Sequence, residues 1–403
     1  MPCISTIKTI NQNKIMSQAN NRLLSLDVLR GITIAGMIMV NNPGSWSYKY
    51  APLGHAAWHG LTPTDLVFPF FMFIMGISTF ISLRKFNFEW SKPTLFKILK
   101  RTVIIFLIGM GIAWLSLSFR TFRALESEEL GFFERFLRAI TNFENLRILG
   151  VLQRLALSYG ATAIIAILVK HKYIPHIIVF SLVGYFILLL TGNGFDFSEQ
   201  NIISVVDRAV LGVNHMYKDS GLSIDPEGLL STIPSIAHVL IGFYAGKMLM
   251  QTKDNYERIQ QLFIMGAILT FTGFLLSYGC PINKKIWSPT FVLVTCGLAA
   301  TLLALLIWII DIKGHKRWSR FFESFGVNPL FIYVAAAVLS IVIGNTFVTY
   351  AGEVVSLKNF IYMAGLQPYL GDYFGSLIFA VLFVIINWIL GHFLYKKQIY
   401  IKI

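Results

Sequence analysis

The stretch Val40–Gly76 reads VNNPGSWSYKYAPLGHAAWHGLTPTDLVFPFFMFIMG. Its two halves differ in kind. As far as Thr64 it is a polar, aromatic loop carrying His55 and His59, four apart around Trp58. After Asp65 it becomes an apolar run. Such a run, opened by Thr-Pro-Thr-Asp, predicts a helix that starts at a membrane surface and enters the bilayer. Titratable side chains kept at the rim of an apolar core are costly unless they have a function.

The rest of the chain has the same character. Of 403 residues, 55% are hydrophobic and only 13% charged. That is too apolar and too charge-poor for a soluble chain of this size. Runs of about 20 apolar residues, the length a spanning helix needs, recur near 24–42, 64–83, 102–118, 148–169, 173–191, 231–250, 261–279, 288–310, 326–347 and 374–395. About ten such spans predict an all-α polytopic integral membrane protein. The net charge of +14 then reads as loop anchoring, not nucleic-acid affinity. Cys3, Cys280 and Cys296 form no CxxC pair, which argues against a disulfide framework or a structural zinc site. The first apolar run lacks a small-residue cleavage site, so it reads as a span rather than a signal peptide. Residues 1–21 are expected to be a disordered cytoplasmic tail, and 22–403 a single transmembrane domain.

Loop charge sets an orientation. The loop 84–101 carries Arg84, Lys85, Lys92, Lys97, Lys100 and Arg101 against Glu89, and is expected to be cytoplasmic. Lys170 and Lys172, the group Lys313, Lys316, Arg317 and Arg320, and the tail with Lys396, Lys397 and Lys402 agree with it by parity. Both termini are therefore predicted to be cytoplasmic, and the His55 loop to face outward. Lys284 and Lys285 are the discordant pair, placed on the outer side. The charge-balanced, Phe-rich segment 119–147 is expected to lie as an interfacial helix. The long, acidic loop 192–230 has the length of a lid or binding surface.

Several polar residues fall inside or beside the spans. Asp27 and Arg30, three apart on one helix face, read either as a mutually neutralised pair or as a phosphate-binding arginine held by its aspartate. Gln153 and Arg154 lie near the outer end of one span, where an arginine must face protein, water or a ligand. His238 reads as a packed core histidine or a functional one. Asn328, before Pro329, reads as a helix cap or a cavity-lining amide. The turn with Asn283 and Lys284 is an interfacial anchor or the mouth of a site for an anionic or sugar ligand. His55 is a candidate general base. Without an HExxH acid or clustered partners, no metal is expected with His59. Asn41 ends the first span, as a cap or as an amide donor to a developing oxyanion. Asp65 reads as the cap of the next helix. The residues alone lead to an outward-facing polar site in a helical membrane protein.

Longer motifs carry more. RLLSLDVLRG (Arg22–Gly31), HAAWHGLTPTDLVFPFFMFIMG (His55–Gly76), LGVLQRL (Leu149–Leu155), DPEGLLSTIPSI (Asp225–Ile236) and INKKIWSPTFV (Ile282–Val292) resemble, in order, the heparan-α-glucosaminide N-acetyltransferase family. The resemblance runs over essentially the whole chain from Arg22. It implies a transmembrane acyltransferase domain over 22–403 that moves acetyl from cytosolic acetyl-CoA to the amine of a glucosamine-type sugar across the membrane. It places the family's catalytic histidine on His55 and its helix-end asparagine on Asn41, with a few extra residues around Ala51–Gly54. His59 stands where the lysosomal enzyme has Asn, so no catalytic role transfers to it. The segment before Arg22 shows no counterpart of the large luminal domain, so recognition of a long heparan chain is not implied. Arg30, Gln153, Arg154, His238, Asn283 and Lys284 are the candidates for the acetyl-CoA cavity. A homodimer in a bacterial inner membrane is what the resemblance suggests. Two other functions remain open: a permease for an amino sugar, and an acyltransferase for a cell-wall or lipid-linked glycan.

Overall fold

The computed structural model describes residues 23–401; the expected tail, 1–21, lies outside them. Among these residues nine helices are long and apolar enough to cross a membrane, or ten if one bent pair counts as a single span. The chain is an all-α polytopic membrane protein. In order, the helices are α1 Leu24–Asn41, α2 Pro63–Arg84, α3 Lys92–Ala124, α4 Phe132–Thr141, α5 Val151–Leu168, α6 Ile174–Thr191, α7 Ile202–Leu211, α8 Thr232–Gln251, α9 Asn255–Leu276, α10 Pro289–Leu306, α11 Ser319–Val327 and α12 Pro329–Asn345. A hairpin follows, β1 Phe347–Tyr350 against β2 Glu353–Ser356, then the single turns α13 Leu357–Phe360 and α14 Gln367–Leu370, and finally α15 Asp372–Lys396.

Burial separates an inner group from an outer one. The apolar stretches of α2, α5 and α8 are 67% buried and that of α9 only 17%, so the first three form the centre and α9 faces the surroundings with Ile264, Ile268, Phe271 and Leu275. The centre packs at backbone distance. A Cβ on Gly76 of α2 would stand 2.2 Å from the Val239 carbonyl oxygen, and one on Gly242 of α8 would stand 2.2 Å from that of Phe73. Small residues facing each other let two helices approach this closely, the usual route to tight packing in lipid. Gly31 and Gly326 repeat the device between α1 and α11.

Three elements differ from the sequence reading. Helix α3 begins at Lys92 rather than about ten residues later, because Ser91 caps it by accepting the Thr94 N–H and Pro93 suits its first turn. Lys97, Lys100 and Arg101 therefore ride on a helix, where long cationic side chains can reach back to water. The span expected at 326–347 is broken at Asn328, with 87° between α11 and α12. Asn328 holds the cap position of both helices, but its side chain makes no capping bond. Its amide donates to the Ile399 carbonyl at 2.8 Å and accepts the Ile401 N–H at 2.9 Å, tying down the chain after α15. The hairpin was not expected at all; its turn uses Ala351 and Gly352, both at positive φ. The interfacial segment does contain an amphipathic helix, α4, with Phe132, Phe133, Phe136 and Leu137 exposed along one side.

Candidate active site

Loop 42–62, the start of α2, loop 192–231 and the turn 281–288 meet at the face where α1 ends. The His55 loop is clamped from two sides. Trp58 donates its indole N–H to the Phe195 carbonyl at 2.7 Å, and the Gly60 N–H reaches the Ile282 carbonyl at 2.8 Å. Asp65 anchors the loop from below. One carboxylate oxygen accepts the Ala56 N–H at 3.1 Å, the Thr62 N–H at 3.2 Å and the Thr62 hydroxyl at 2.9 Å. The other stands 2.7 Å from His55 Nδ1. Asp65 is thus a helix-cap residue, as read from the sequence, and also the partner of His55.

That pairing fixes the imidazole. A carboxylate has no proton to give, so Nδ1–H donates to Asp65 and Nε2 is left with its lone pair. The Asp65 side chain is 1% exposed and that of His55 46%, so the orienting acid is sealed while the ring remains reachable. This is the base-plus-orienter arrangement that general-base chemistry uses.

Lys284 completes the cluster. Its ammonium lies 3.3 Å from the same Asp65 oxygen and 3.0 Å from His55 Nδ1. With Nδ1 committed as donor, the lysine's partner is the carboxylate. Burial pulls the Lys284 pKa below its ordinary value, against the opposing pull of Asp65 and Glu227. Asn283 builds the turn that projects it. The buried Asn283 amide oxygen accepts the N–H groups of Lys285 and Ile286 at 2.8 and 3.2 Å, and the next turn residue, Trp287, sits at φ 52°. A tryptophan in the left-handed region is strained. It is held there by packing against Phe68, Phe291 and His238, with the Arg154 guanidinium 5.0 Å from its ring centre. His59 touches the Asn283 amide at 3.3 Å, and burial lowers its pKa. Lys285 is bound to the Ala57 carbonyl and to Asp219.

A cavity of about 490 Å³ opens nearby, lined among others by Asn41, Gln153, Arg147, Tyr217 and Tyr333. Neither the Asn41 nor the Gln153 amide makes a hydrogen bond to another described residue, and both lie on the cavity wall. Gln153 fits because Gly109 and Gly150 stand against it; a Cβ on Gly109 would be 2.4 Å from its amide oxygen. Arg147 is bidentate to Asp225, at 3.1 and 2.6 Å, and also meets Glu227 at 2.6 Å. Burial alone would disfavour its charge, but Glu227 and Asp225 outweigh that and raise its pKa. Glu227 is also one of the charges acting on Lys284, so the cavity wall and the His55 cluster share an electrostatic neighbour.

The sequence candidates therefore fall into four groups. His55 and Lys284 meet directly through Asp65, with Asn283 shaping their support. Asn41 and Gln153 meet in the cavity, whose lining does not include His55. Arg154 and His238 are fully buried behind both: Arg154 donates to the Gly228 carbonyl at 3.2 Å and to Ser231, and His238 Nε2 lies 2.9 Å from the Pro69 carbonyl. Arg30 belongs to the other face, near the start of α1, where it meets Asp27 at 3.0 Å, Ser78 at 2.9 Å and the Gly326 carbonyl at 3.2 Å. The sequence reading missed Asp65 as the partner of His55, and Arg147, Glu227 and Tyr333 altogether. Among the described residues no group of three or more His, Cys, Asp or Glu could hold a metal ion.

Fold and site together define a polytopic membrane protein with a histidine–aspartate pair and an amide-lined cavity at one face. Comparison with known proteins adds the family. Residues 22–280 match the profile described as "Heparan-alpha-glucosaminide N-acetyltransferase, catalytic", and this chain belongs to that family. It is 29% identical over 367 residues to the human heparan-alpha-glucosaminide N-acetyltransferase, covering 78% of this chain and 52% of the human one. Against the mouse protein of the same name it is 28% identical over 375 residues, covering 79% of this chain and 54% of the relative. The chain thus spans about half the length of these curated relatives.

Proposed function

We propose that residues 22–403 form one transmembrane acyltransferase domain that transfers acetyl from acetyl-CoA to the amine of a glucosamine-type sugar. The observation that carries this reading is the His55–Asp65 pair, reachable at one face of a chain from an N-acetyltransferase family. Loop charge supports placing that face outward, in a bacterial inner membrane, with acetyl-CoA supplied from the cytoplasm.

Acetyl-CoA supplies the acetyl group as a thioester. The free amides of Asn41 and Gln153 suit such a group, since both can donate to a carbonyl oxygen that gains charge. His55 Nε2 takes the proton from the attacking amine as the new N–C bond forms. Asp65 holds the Nδ1–H throughout and stabilises the imidazolium. Breaking the C–S bond releases sulfur as thiolate, to which His55 returns the proton. Lys284 keeps a positive charge beside Asp65 and fixes its carboxylate. Arg154, His238 and Asn283 support the wall behind the cofactor path. Arg30, on the opposite face and held by Asp27, Ser78 and the Gly326 carbonyl, is the arginine this reading assigns to phosphates at the cytoplasmic side. A homodimer accompanies this reading, as the family resemblance implies.

The test uses proteoliposomes of one orientation, with labelled acetyl-CoA on one side and glucosamine on the other. Acetylated sugar on the sugar's side supports the proposal. Sugar flux without any acetyl-CoA requirement points to a permease and overturns it.

A further inference from the structure

A second cleft lies at the same face, between the ends of α3 and α12 and the hairpin. It measures about 610 Å³ and is lined by Arg120, Arg123, Asn345, Phe347, Ser356 and Asn359 among others. The Arg123 guanidinium sits 3.3 Å from the centre of the Phe347 ring, which fixes its plane. Arg120 also lines the cavity that holds Asn41 and Gln153, so one arginine borders both spaces.

Several other arginines of this region have acids, while Arg135 is held by the Phe122 carbonyl at 3.0 Å. Arg138 meets Glu128 and Glu134, Arg147 meets Asp225 and Glu227, and Arg208 approaches Glu199. Arg120 and Arg123 have no carboxylate within ion-pair distance among the described residues, and no acid lines the cleft. Their job is not to satisfy helix ends either. After α3 the Leu125 N–H takes the Arg123 and Thr121 carbonyls. At the end of α12 the Thr346 N–H takes that of Val342, and the Asn345 amide donates to Ile341. Arg120 gives only its Nε–H to the Ser116 carbonyl, at 3.3 Å, and Arg123 makes no hydrogen bond to another described residue; their remaining donors, flanked by the side chains of Asn345, Ser356 and Asn359, match the oxygens of a phosphate. Both arginines lie where α3, a candidate span, ends beside the end of α12, and the ends of spans are where lipid phosphates lie.

We propose that this cleft binds a phosphate diester held in the membrane, by bidentate contacts from Arg120 and Arg123. Two sources share that chemistry: the headgroup of an anionic phospholipid, and the phosphate that links an amino sugar to a lipid. The second source rests on the proposed acetyl transfer, because it brings an acceptor amine to the cavity that Arg120 shares.

Binding is tested without acetyl-CoA, so the result does not depend on turnover. Short-chain phosphatidylglycerol and a short-chain prenyl-phosphate glucosamine are titrated into purified protein in a neutral detergent. Native mass spectrometry counts what stays bound. The variants are Arg120→Gln with Arg123→Gln, Arg123→Lys, and the paired surface control Arg138→Gln. Removing both arginines is expected to weaken binding by about tenfold or more, the scale of losing hydrogen bonds to a charged group. Arg123→Lys keeps the charge but loses the fork, so it is expected to lie between, and its folding is checked by thermal melting. Preference for the sugar phosphate over phosphatidylglycerol supports a lipid-linked acceptor, and the reverse preference supports a resident lipid. Binding of neither ligand, or equal loss in Arg138→Gln, overturns the proposal.

Discussion

The His55 imidazole and the Asp65 carboxylate stand 2.7 Å apart, although one lies in a loop and the other in the first turn of α2. Asp65 spends one oxygen on closing the loop and the other on orienting the ring. Helix start and base are thus set by the same residue. A change at Asp65 is expected to act on chemistry before it acts on the fold.

Asp65→Asn keeps the shape and some of the capping but loses the charge. A positioned base contributes about 10²–10⁴-fold, so kcat is expected to fall by about 10² or more. KM for the acetyl donor is expected to change little, because Asp65 does not line the cavity. Steady-state kinetics on a variant with wild-type melting behaviour checks this. A rise in KM at unchanged kcat would contradict it.

Asn41→Ala and Gln153→Ala remove amides that the fold does not use for its own hydrogen bonds. Their melting temperatures are expected to stay close to wild type. Losing a donor to a developing oxyanion typically costs about 10²–10³-fold in kcat, and that is the expectation for Asn41→Ala. Gln153→Ala is expected to weaken acetyl-CoA binding, read by calorimetry.

Lys284 provides a pH dependence. Burial places its pKa below the usual 10.5, so its charge is lost earlier on the alkaline side than that of an exposed lysine. Activity that needs this charge beside Asp65 is expected to fall in that window. Lys284→Arg keeps its charge to much higher pH and is expected to move the alkaline limb upward. Identical pH profiles for the two proteins would contradict the role given to Lys284.

Asp207 provides another, on stability. Burial raises its pKa from 3.8 to about 6, against the Leu229 N–H that it accepts at 2.8 Å. The folded state holds this proton more tightly than the unfolded chain. Its contribution is therefore complete below about pH 4 and lost as pH rises through about 6, with a ceiling of about 3 kcal/mol. Asp207→Asn is expected to flatten the thermal-stability profile across that window. An unchanged slope would count against it.

Gly76→Leu and Gly242→Leu test the central packing. Each side chain would meet backbone at 2.2 Å, so α2 and α8 must separate. Overpacking typically costs about 1–3 kcal/mol, and contact with backbone leaves little room to relax. Lower melting temperatures and loss of monodisperse protein in detergent are expected.

The spans were legible because run length alone specifies them, and the amphipathic Phe132–Thr141 segment was legible from its apolar side. Other features depend on what the chain brings together. Asp65 reads as a cap in sequence, since a cap needs only one oxygen and nothing local reveals the partner of the second. Arg147 and Asp225 are 78 residues apart, and their ion pair has no local pattern. Asn283 looked like a ligand-facing amide, yet its oxygen is consumed by its own turn. The break at Asn328 was hidden because both flanks are apolar; Pro329 suits a helix start as well as a kink. His55 and Asn41 could be singled out by residue type, but the sequence could not show that the cavity lined by Asn41 does not include His55.

The central claim is that His55 is the base of an acetyl transfer. The direct measurement takes wild type and His55→Ala in nanodiscs with radiolabelled acetyl-CoA and glucosamine, and records both acetylated sugar and bound acetyl-CoA. The account predicts acetylated sugar from wild type, and its loss in the variant while acetyl-CoA still binds. Equal turnover in the two proteins would contradict it.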